Sequence, residues 1–214
     1  MSRSESRSDG IAASIRTSII SGQLKPGARI VEEVVAEEHS VSRVPVREAL
    51  RRLEAEGFIT LTAYRGATVV APSRREGLEL LTVRGGLEAL AARLAAERRG
   101  EGYENELLET VAQETEASLQ HDVRALLRLS LHFHEVVRLA SGNEQLRLIL
   151  TKLVERTSWV FELDVEERSA GAAADHSAIA HAILHGASVQ ASYLMTEHVS
   201  QDEALYRART PLGT

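Results

Sequence analysis

The sequence of 214 residues contains no cysteine and no long apolar run. Without cysteine the chain can form neither disulfides nor thiolate metal sites, which suits a reducing compartment. No apolar stretch approaches the roughly 18 residues that span a bilayer, and the N-terminal segment lacks the apolar core of a signal peptide. We therefore expect a cytoplasmic protein that does not associate with a membrane.

Sequence patterns of several large enzyme classes are also missing. The chain contains no HExxH zinc-protease pattern, no P-loop and no GxGxxG dinucleotide-binding pattern. Hydrophobic residues at 43% and charged residues at 26% are typical of a globular protein with a sizeable core. The sequence therefore predicts a globular protein that is not an enzyme.

Negative charge is unevenly distributed along the chain. The net charge of -6 argues against indiscriminate binding to nucleic acid. Residues 1–72 hold 10 Lys and Arg against 9 Asp and Glu, a net charge of +1, and the remainder holds 15 against 22, a net charge of -7. A near-neutral N-terminal third can still bind DNA if its arginines share one face.

Turn residues and hydrophobic periodicity divide the chain into two predicted domains. A disordered segment over 1–9 precedes a compact domain over 10–72, and a helical domain covers 73–209. The compact domain has three predicted helices, the second over 32–38 with Val34 and Val35 inward, followed by a β-hairpin. No strand is indicated after the hairpin, and the predicted helices cover about 73–99, 103–119, 122–140, 143–165, 174–185 and 188–208.

The third predicted helix, which Ser42 can cap and Gly57 can end, combines an apolar side with an arginine stripe. Its basic residues recur at a spacing of four, as Arg43, Arg47 and Arg51. Arginine can bond guanine O6 and N7 in bidentate fashion, or a phosphate. An exposed helix with solvated arginines would show the same stripe. The hairpin that follows favours a winged helix-turn-helix, because its tip would lie beside the arginines.

Residues 10–72 resemble the DNA-binding domain of the GntR family of bacterial regulators. The resemblance lies in GQLKPG over 22–27, VSRVPVREALRRL over 41–53, EGF over 56–58 and RGA over 65–67. In contrast, Glu33 stands where some members have a further DNA-contacting arginine. The predicted DNA-binding residues are Ser42, Arg43, Val44, Arg47, Arg51, Arg65 and Gly66.

Residues 73–209 resemble the all-helical FCD ligand-binding domain of the FadR subfamily, in its shorter VanR-like version. The matching features are Arg84 with Leu87-Glu88, Phe133-His134 before ASGN at 140–143, and Asp175-His176 with His198. Together the two resemblances imply a mainly α fold class, with an N-terminal winged helix-turn-helix and a C-terminal helical bundle for ligand binding and dimerisation.

Many such domains hold a divalent metal with one aspartate and three histidines from different helices. The resemblance assigns the histidine roles to His134, His176 and His198, with Zn or Ni as the expected ion. Ser130 stands where the aspartate is expected, one turn before the first histidine. The alternatives are core histidines bonded to their neighbours, or the polar lining of a metal-free cavity.

The same resemblance implies a small-molecule effector, for which a carboxylate is the expected class. The predicted effector-binding residues are Arg84, Ser130 and Arg156. A structural pair of Arg84 with Glu88 and an exposed salt bridge of Arg156 are the alternatives. We expect a homodimeric repressor that binds a palindromic operator in double-stranded DNA until the effector releases or repositions it. The alternatives are a metal-dependent enzyme using the helical-domain histidines and a ligand-independent DNA-binding protein.

Overall fold

The computed structural model of the chain describes residues 3–62, 66–70, 73–161 and 165–209. These residues form nine α-helices and one three-stranded sheet, and they group into two compact units. The N-terminal unit comprises the described residues up to Ser73 together with 158–161, and the C-terminal unit comprises the other described residues. The fold class is mainly α, as predicted. Among the described helices, none combines the length and the apolar character that a bilayer crossing requires.

The N-terminal unit has the topology of a winged helix-turn-helix. Its elements are α1 (Arg3–Ile20), β1 (Arg29–Ile30), α2 (Glu32–Glu38), α3 (Arg43–Ala55), β2 (Ile59–Thr62) and β3 (Gly66–Val69). The strands lie in the order β1-β3-β2, and both pairings are antiparallel. Strands β2 and β3 form the predicted hairpin, here called the wing, which pairs Thr62 with Gly66. The predicted contact residue Arg65 lies outside the described residues.

Strand β1 was not predicted from the sequence. Arg29 and Ile30 pair with Thr68 and Ala67 of β3, so the two-residue strand extends the sheet beyond the wing. A segment this short shows no periodicity of its own, and its pairing depends on the edge that β3 presents. Because Ile30 is buried, the strand also anchors the wing to the core of the unit.

Helix α1 begins earlier than predicted. The sequence predicts a disordered segment over 1–9, but the backbone is helical from Arg3. The side chain of Ser8 is buried, and the carboxylate of Asp9 pairs with Arg52 of α3. These tertiary contacts stabilise a helical segment that has little apolar periodicity. The prediction of disorder is therefore wrong for residues 3–9.

One complete side of α3 lies in the core of the N-terminal unit. Val46, Leu50 and Leu53 are at most 1% exposed. Gly57, with φ +80°, follows the end of the helix in the left-handed conformation expected for a glycine stop. Ser42 is the N-cap residue, but its side chain makes no capping hydrogen bond, so the predicted side-chain cap is wrong.

The C-terminal unit is a helical bundle. Its described elements are α4 (Arg74–Glu97), α5 (Glu104–Leu119), α6 (Val123–Ala140), α7 (Glu144–Phe161, up to residue 157), α8 (Val165–Leu184) and α9 (Ser188–Arg209). Helix α4 packs along α9, and α5 packs against α6 and α8. Helix α8 begins at Val165 rather than at 174, because the alanine-rich stretch before 174 continues the helix.

The core of the bundle combines large side chains with alanines. Phe133, Leu150, Ile183 and Met195 are fully buried. Four buried alanines of α4 leave room for neighbouring helices to approach closely, and these are Ala91, Ala92, Ala95 and Ala96. Several histidines and charged side chains are buried in the same unit. Buried polar groups require partners, so these residues mark the part of the bundle where a site is expected.

Replacing Leu53 with alanine is expected to lower the free energy of unfolding by about 2–5 kcal/mol, because the truncation leaves a cavity in the core. Denaturant unfolding followed by circular dichroism measures the loss. Val34→Ala is the control: Val34, predicted to point inward, is 50% exposed, and its truncation should cost less than about 1 kcal/mol. Equal losses in the two variants would contradict the described core.

Candidate functional site

The predicted arginine stripe lies on the exposed side of α3. Arg43, Arg47 and Arg51 are all exposed, opposite the side that packs into the core. They line a groove between α3, the start of α2 and the sheet. The other residues that line this groove include Ile30, Glu32, Glu33, Leu61, Thr62 and Gly66. The structure thus brings the three arginines together with Gly66 of the wing.

Gly66 opens β3 with a backbone conformation that favours glycine. Its φ is +83°, and a Cβ at this position would lie 3.4 Å from the carbonyl oxygen of Ile30. The wing therefore approaches β1 closely at the edge of the groove. The two other described residues of the predicted DNA contact, Ser42 and Val44, are exposed at the start of α3.

Two of the arginines have acidic partners on α2. Nη1 of Arg43 lies 2.7 Å from Oε1 of Glu33. Nε of Arg47 donates a hydrogen bond to Oε2 of Glu32 at 2.8 Å. These ion pairs were not predicted, because they join residues of different helices and produce no local sequence pattern. Glu33, which stands where the family resemblance leads us to expect a further arginine, thus pairs with Arg43.

Three histidines from three helices meet inside the C-terminal unit. His134 of α6, His176 of α8 and His198 of α9 are all buried, and one nitrogen of each ring lies within 4.8 Å of the others. The Nε2 atoms of His176 and His198 are 3.1 Å apart. The ring of Phe133 stacks on His176 with 4.1 Å between centroids, which limits the orientation of that imidazole. These are the three histidines singled out in the sequence.

A carboxylate lies behind the Nδ1 atom of each histidine. The closest pairs are His134 with Glu88 at 3.4 Å, His176 with Glu114 at 2.8 Å, and His198 with Asp175 at 3.2 Å. In metal sites, such outer carboxylates hold the Nδ1 proton and orient the ring, so that the Nε2 lone pair can face an ion. Glu114 was not predicted, because it lies 62 residues from His176 in the chain.

Burial favours the neutral form of two histidines of the cluster, His134 and His176. Burial lowers the pKa of His134 to about 3, although Glu88 opposes the shift, and it also lowers the pKa of His176 well below its ordinary value. Burial also raises the pKa of Glu114, to about 8. Neutral imidazole is the form that binds metal ions. His134 and His176 are therefore in the required form at neutral pH.

The donor set fits a divalent ion such as Zn or Ni. Imidazole nitrogens bind zinc at about 2.0–2.1 Å, which places two ligands of one ion about 3.0–3.4 Å apart. The 3.1 Å between the Nε2 atoms of His176 and His198 lies in this range. Ser130 is partly buried one turn before His134. Within the described residues, the cluster therefore consists of three nitrogen donors, with no carboxylate among the candidate ligands.

Glu88 is also the centre of a buried charge network. Its Oε1 atom lies 3.3 Å from Nη1 of Arg138 and 3.6 Å from Nε of Arg84. Arg84 in turn lies 4.0 Å from Asp202. Although burial raises the pKa of Glu88, interactions with His134 and the two arginines lower it to about 2. The predicted effector residue Arg84 is thus in an ion network that contacts the histidine cluster.

Arg156 of α7 is a further predicted effector residue, and its side chain is partly buried. Its Nε atom is buried without a hydrogen-bond partner in the described structure. A buried donor in this state costs free energy until an acceptor reaches it. Arg156 lies on α7, a helix that contributes none of the three histidines.

Both parts of the chain match known protein families. Residues 7–69 match the bacterial regulatory proteins of the gntR family, and residues 79–201 match the FCD domain. The chain therefore belongs to the GntR family of bacterial transcription regulators, as a member that carries an FCD domain. The family and the fold class predicted from the sequence are confirmed.

Individual relatives support the same assignment. The Nta operon transcriptional regulator of Aminobacter aminovorans is 33% identical over 149 residues, which cover 70% of this chain and 70% of that protein. The HTH-type transcriptional regulator YdhC of Bacillus subtilis (strain 168) is 32% identical over 138 residues, covering 64% of this chain and 61% of YdhC. The solved structure of E. coli McbR/YncC has the same fold, with a TM-score of 0.77 at 21% identity over 95% of this chain and 98% of that one.

Replacing Glu88 with glutamine is expected to lower the free energy of unfolding by about 3–5 kcal/mol, because it removes the anion between two buried guanidinium groups. Chemical denaturation measures the effect. The matched control is Glu135→Gln: Glu135 also pairs with Arg138, but its side chain is 34% exposed. The control should lose less than about 1 kcal/mol. An equal loss in both variants would argue against a stabilising role for the buried network.

Proposed function

We propose that the protein is a transcription repressor that binds operator DNA through α3 and the wing. The proposal rests mainly on the stripe of Arg43, Arg47 and Arg51, exposed on a helix whose other side is buried. A helix of this kind fits the major groove, where arginine can bond guanine in bidentate fashion or contact phosphate. We propose that the wing, whose Gly66 lines the same groove as the arginines, approaches the DNA backbone.

Several residues have supporting roles in this proposal. Ser42 at the start of α3 offers a hydroxyl to a phosphate, and exposed Val44 offers an apolar contact to a thymine methyl group. Arg65, which lies outside the described residues, is proposed from the sequence alone to supply positive charge to the DNA contact. A single unit of this size makes few base contacts, so we infer a homodimer whose two copies of α3 read the halves of a palindromic operator.

We further propose that His134, His176 and His198 hold a divalent ion, with Zn or Ni as the candidates. When bound, the ion supplies positive charge and open coordination positions for a carboxylate effector. The chain itself orients the rings of His176 and His198 through Glu114 and Asp175, and Glu88 lies 3.4 Å from Nδ1 of His134. Ser130 contributes a hydroxyl one turn from His134, so the negative charge of a complete site comes from outside the chain.

The proposed effector is a small carboxylate bound in the helical unit. The buried guanidinium of Arg84 and the buried Nε atom of Arg156 are the arginine groups proposed to attract it. An effector changes operator affinity only if it binds one arrangement of the dimer more tightly than the other. We propose that it favours the DNA-free arrangement, so that effector binding relieves repression.

A regulatory role is better supported than the two alternatives. The similar proteins described above are named as transcriptional regulators, which favours a ligand-sensing role for the histidines over an enzymatic one. The cluster of histidines with three carboxylates favours a ligand site over a purely structural bundle, because burying so many polar groups destabilises a domain that does not use them. We therefore propose effector-controlled DNA binding.

The DNA-binding proposal is tested by replacing Arg47 with alanine. We expect the variant to bind at least about tenfold more weakly to a duplex that the wild-type protein selects from a random library, because one base contact is lost. Fluorescence anisotropy measures affinity, and light scattering checks the dimer. Arg52→Ala is the control, since Arg52 lies on the same helix but pairs with Asp9. Unchanged sequence preference in Arg47→Ala would contradict the proposal.

The metal proposal is tested by elemental analysis of the purified chain. We expect about one equivalent of Zn or Ni per chain, and a higher melting temperature with added ion, because a ligand that binds only the folded state stabilises it. His176→Ala should lose both effects. His132→Ala is the control, because His132 is an exposed neighbour of the cluster on α6. The proposal fails if the wild-type chain binds no ion, or if the two variants bind it equally.

A further inference from the structure

The guanidinium group of Arg47 is held from one side only. Its Nε atom donates to Oε2 of Glu32 at 2.8 Å, and this group makes no other hydrogen bond or ion pair among the described residues. Glu32 is the more sheltered partner, with a side chain 24% exposed against 57% for Arg47. The acid thus holds the guanidinium through Nε, and both terminal amino groups are left available.

The neighbouring pair differs in geometry. Arg43 contacts Glu33 through its terminal Nη1 atom at 2.7 Å, and both side chains are more than half exposed. Bidentate contact with guanine requires two N–H groups that point the same way, and the terminal amino groups supply them. Before DNA binds, the pair with Glu33 occupies one of these groups in Arg43, whereas the pair with Glu32 leaves both in Arg47.

From this geometry we propose that Glu32 is a positioning residue for base recognition, which holds Arg47 through Nε so that its terminal amino groups meet a guanine. The inference rests on the proposed function of α3 as the DNA-reading helix. An arginine that is ordered before binding loses less rotamer freedom when it forms its base contact. Glu32 therefore increases the preference of Arg47 for guanine over the other bases.

The carboxylate also discourages the competing contact with phosphate. A phosphate that approached Arg47 would come close to the negative charge of Glu32, whereas a guanine edge presents neutral acceptors to the same guanidinium. Non-specific binding depends mostly on contacts between basic side chains and phosphates. Glu32 thus increases selectivity for guanine in two ways: it orients the guanidinium group of Arg47, and it repels phosphate.

The test compares Glu32→Ala with Glu33→Ala in the full chain. The first probe is the selected duplex. The second is a copy of that duplex with one guanine replaced by adenine, at the position where Arg47→Ala loses its preference for guanine. We expect Glu32→Ala to reduce the ratio of the two affinities about tenfold, the order of one lost bidentate contact. Glu33→Ala removes the same charge one residue away and should leave this ratio unchanged.

Glu32→Gln separates orientation from charge. Its amide oxygen still accepts from Nε of Arg47, so it should restore the guanine preference to within about threefold of wild type, while affinity for a scrambled duplex rises as it does in Glu33→Ala. Circular dichroism confirms that each variant is folded. If Glu32→Ala does not fold, the ratio of the two affinities is measured for Glu32→Asp instead. The shorter aspartate side chain keeps the charge but cannot hold Nε of Arg47 in place.

Two results overturn the inference. One is an unchanged guanine preference in Glu32→Ala, or in Glu32→Asp where that variant replaces it. The other is a Glu32→Gln variant as defective as Glu32→Ala, which would assign the effect to charge alone. Failure of the proposed function is distinguishable, because the wild-type chain would then select no sequence from the library.

Discussion

The one-sided burial of α3 is the constraint on which the N-terminal unit depends. Val46, Leu50 and Leu53 are excluded from solvent, and the helical repeat then directs the stripe that begins at Arg43 to the opposite side. The packing that stabilises the unit therefore also determines the direction in which its arginines project. Because the apolar side meets α1 and the sheet, the distance between stripe and wing follows from the same core.

Elements with local signals could be predicted from the sequence, and elements made by distant partners could not. Helix α2 has the predicted limits, and α3 ends where Gly57 allows the chain to turn. In contrast, β1 exists only because β3 offers it an edge, and the first turns of α1 are stabilised by contacts such as that between Asp9 and Arg52. Local propensity carries no information about either partner.

The candidate sites show the same division. The arginine stripe follows from helical spacing, and the three histidines were identified through a family resemblance. The acids that hold these side chains lie on other helices, as Glu114 does for His176 and Glu32 does for Arg47. The sequence therefore indicated which residues carry the functional groups, and only the folded structure gave the orientation of those groups.

The placement of His134, His176 and His198 on three different helices has a mechanical consequence. An ion bonded to all three would act as a cross-link between helices, in addition to the packing and hydrogen bonds of their side chains. Its presence would restrict sliding of α6, α8 and α9 past one another. Binding of one ion would then reduce the motion of the whole bundle, including parts that do not contact the ion.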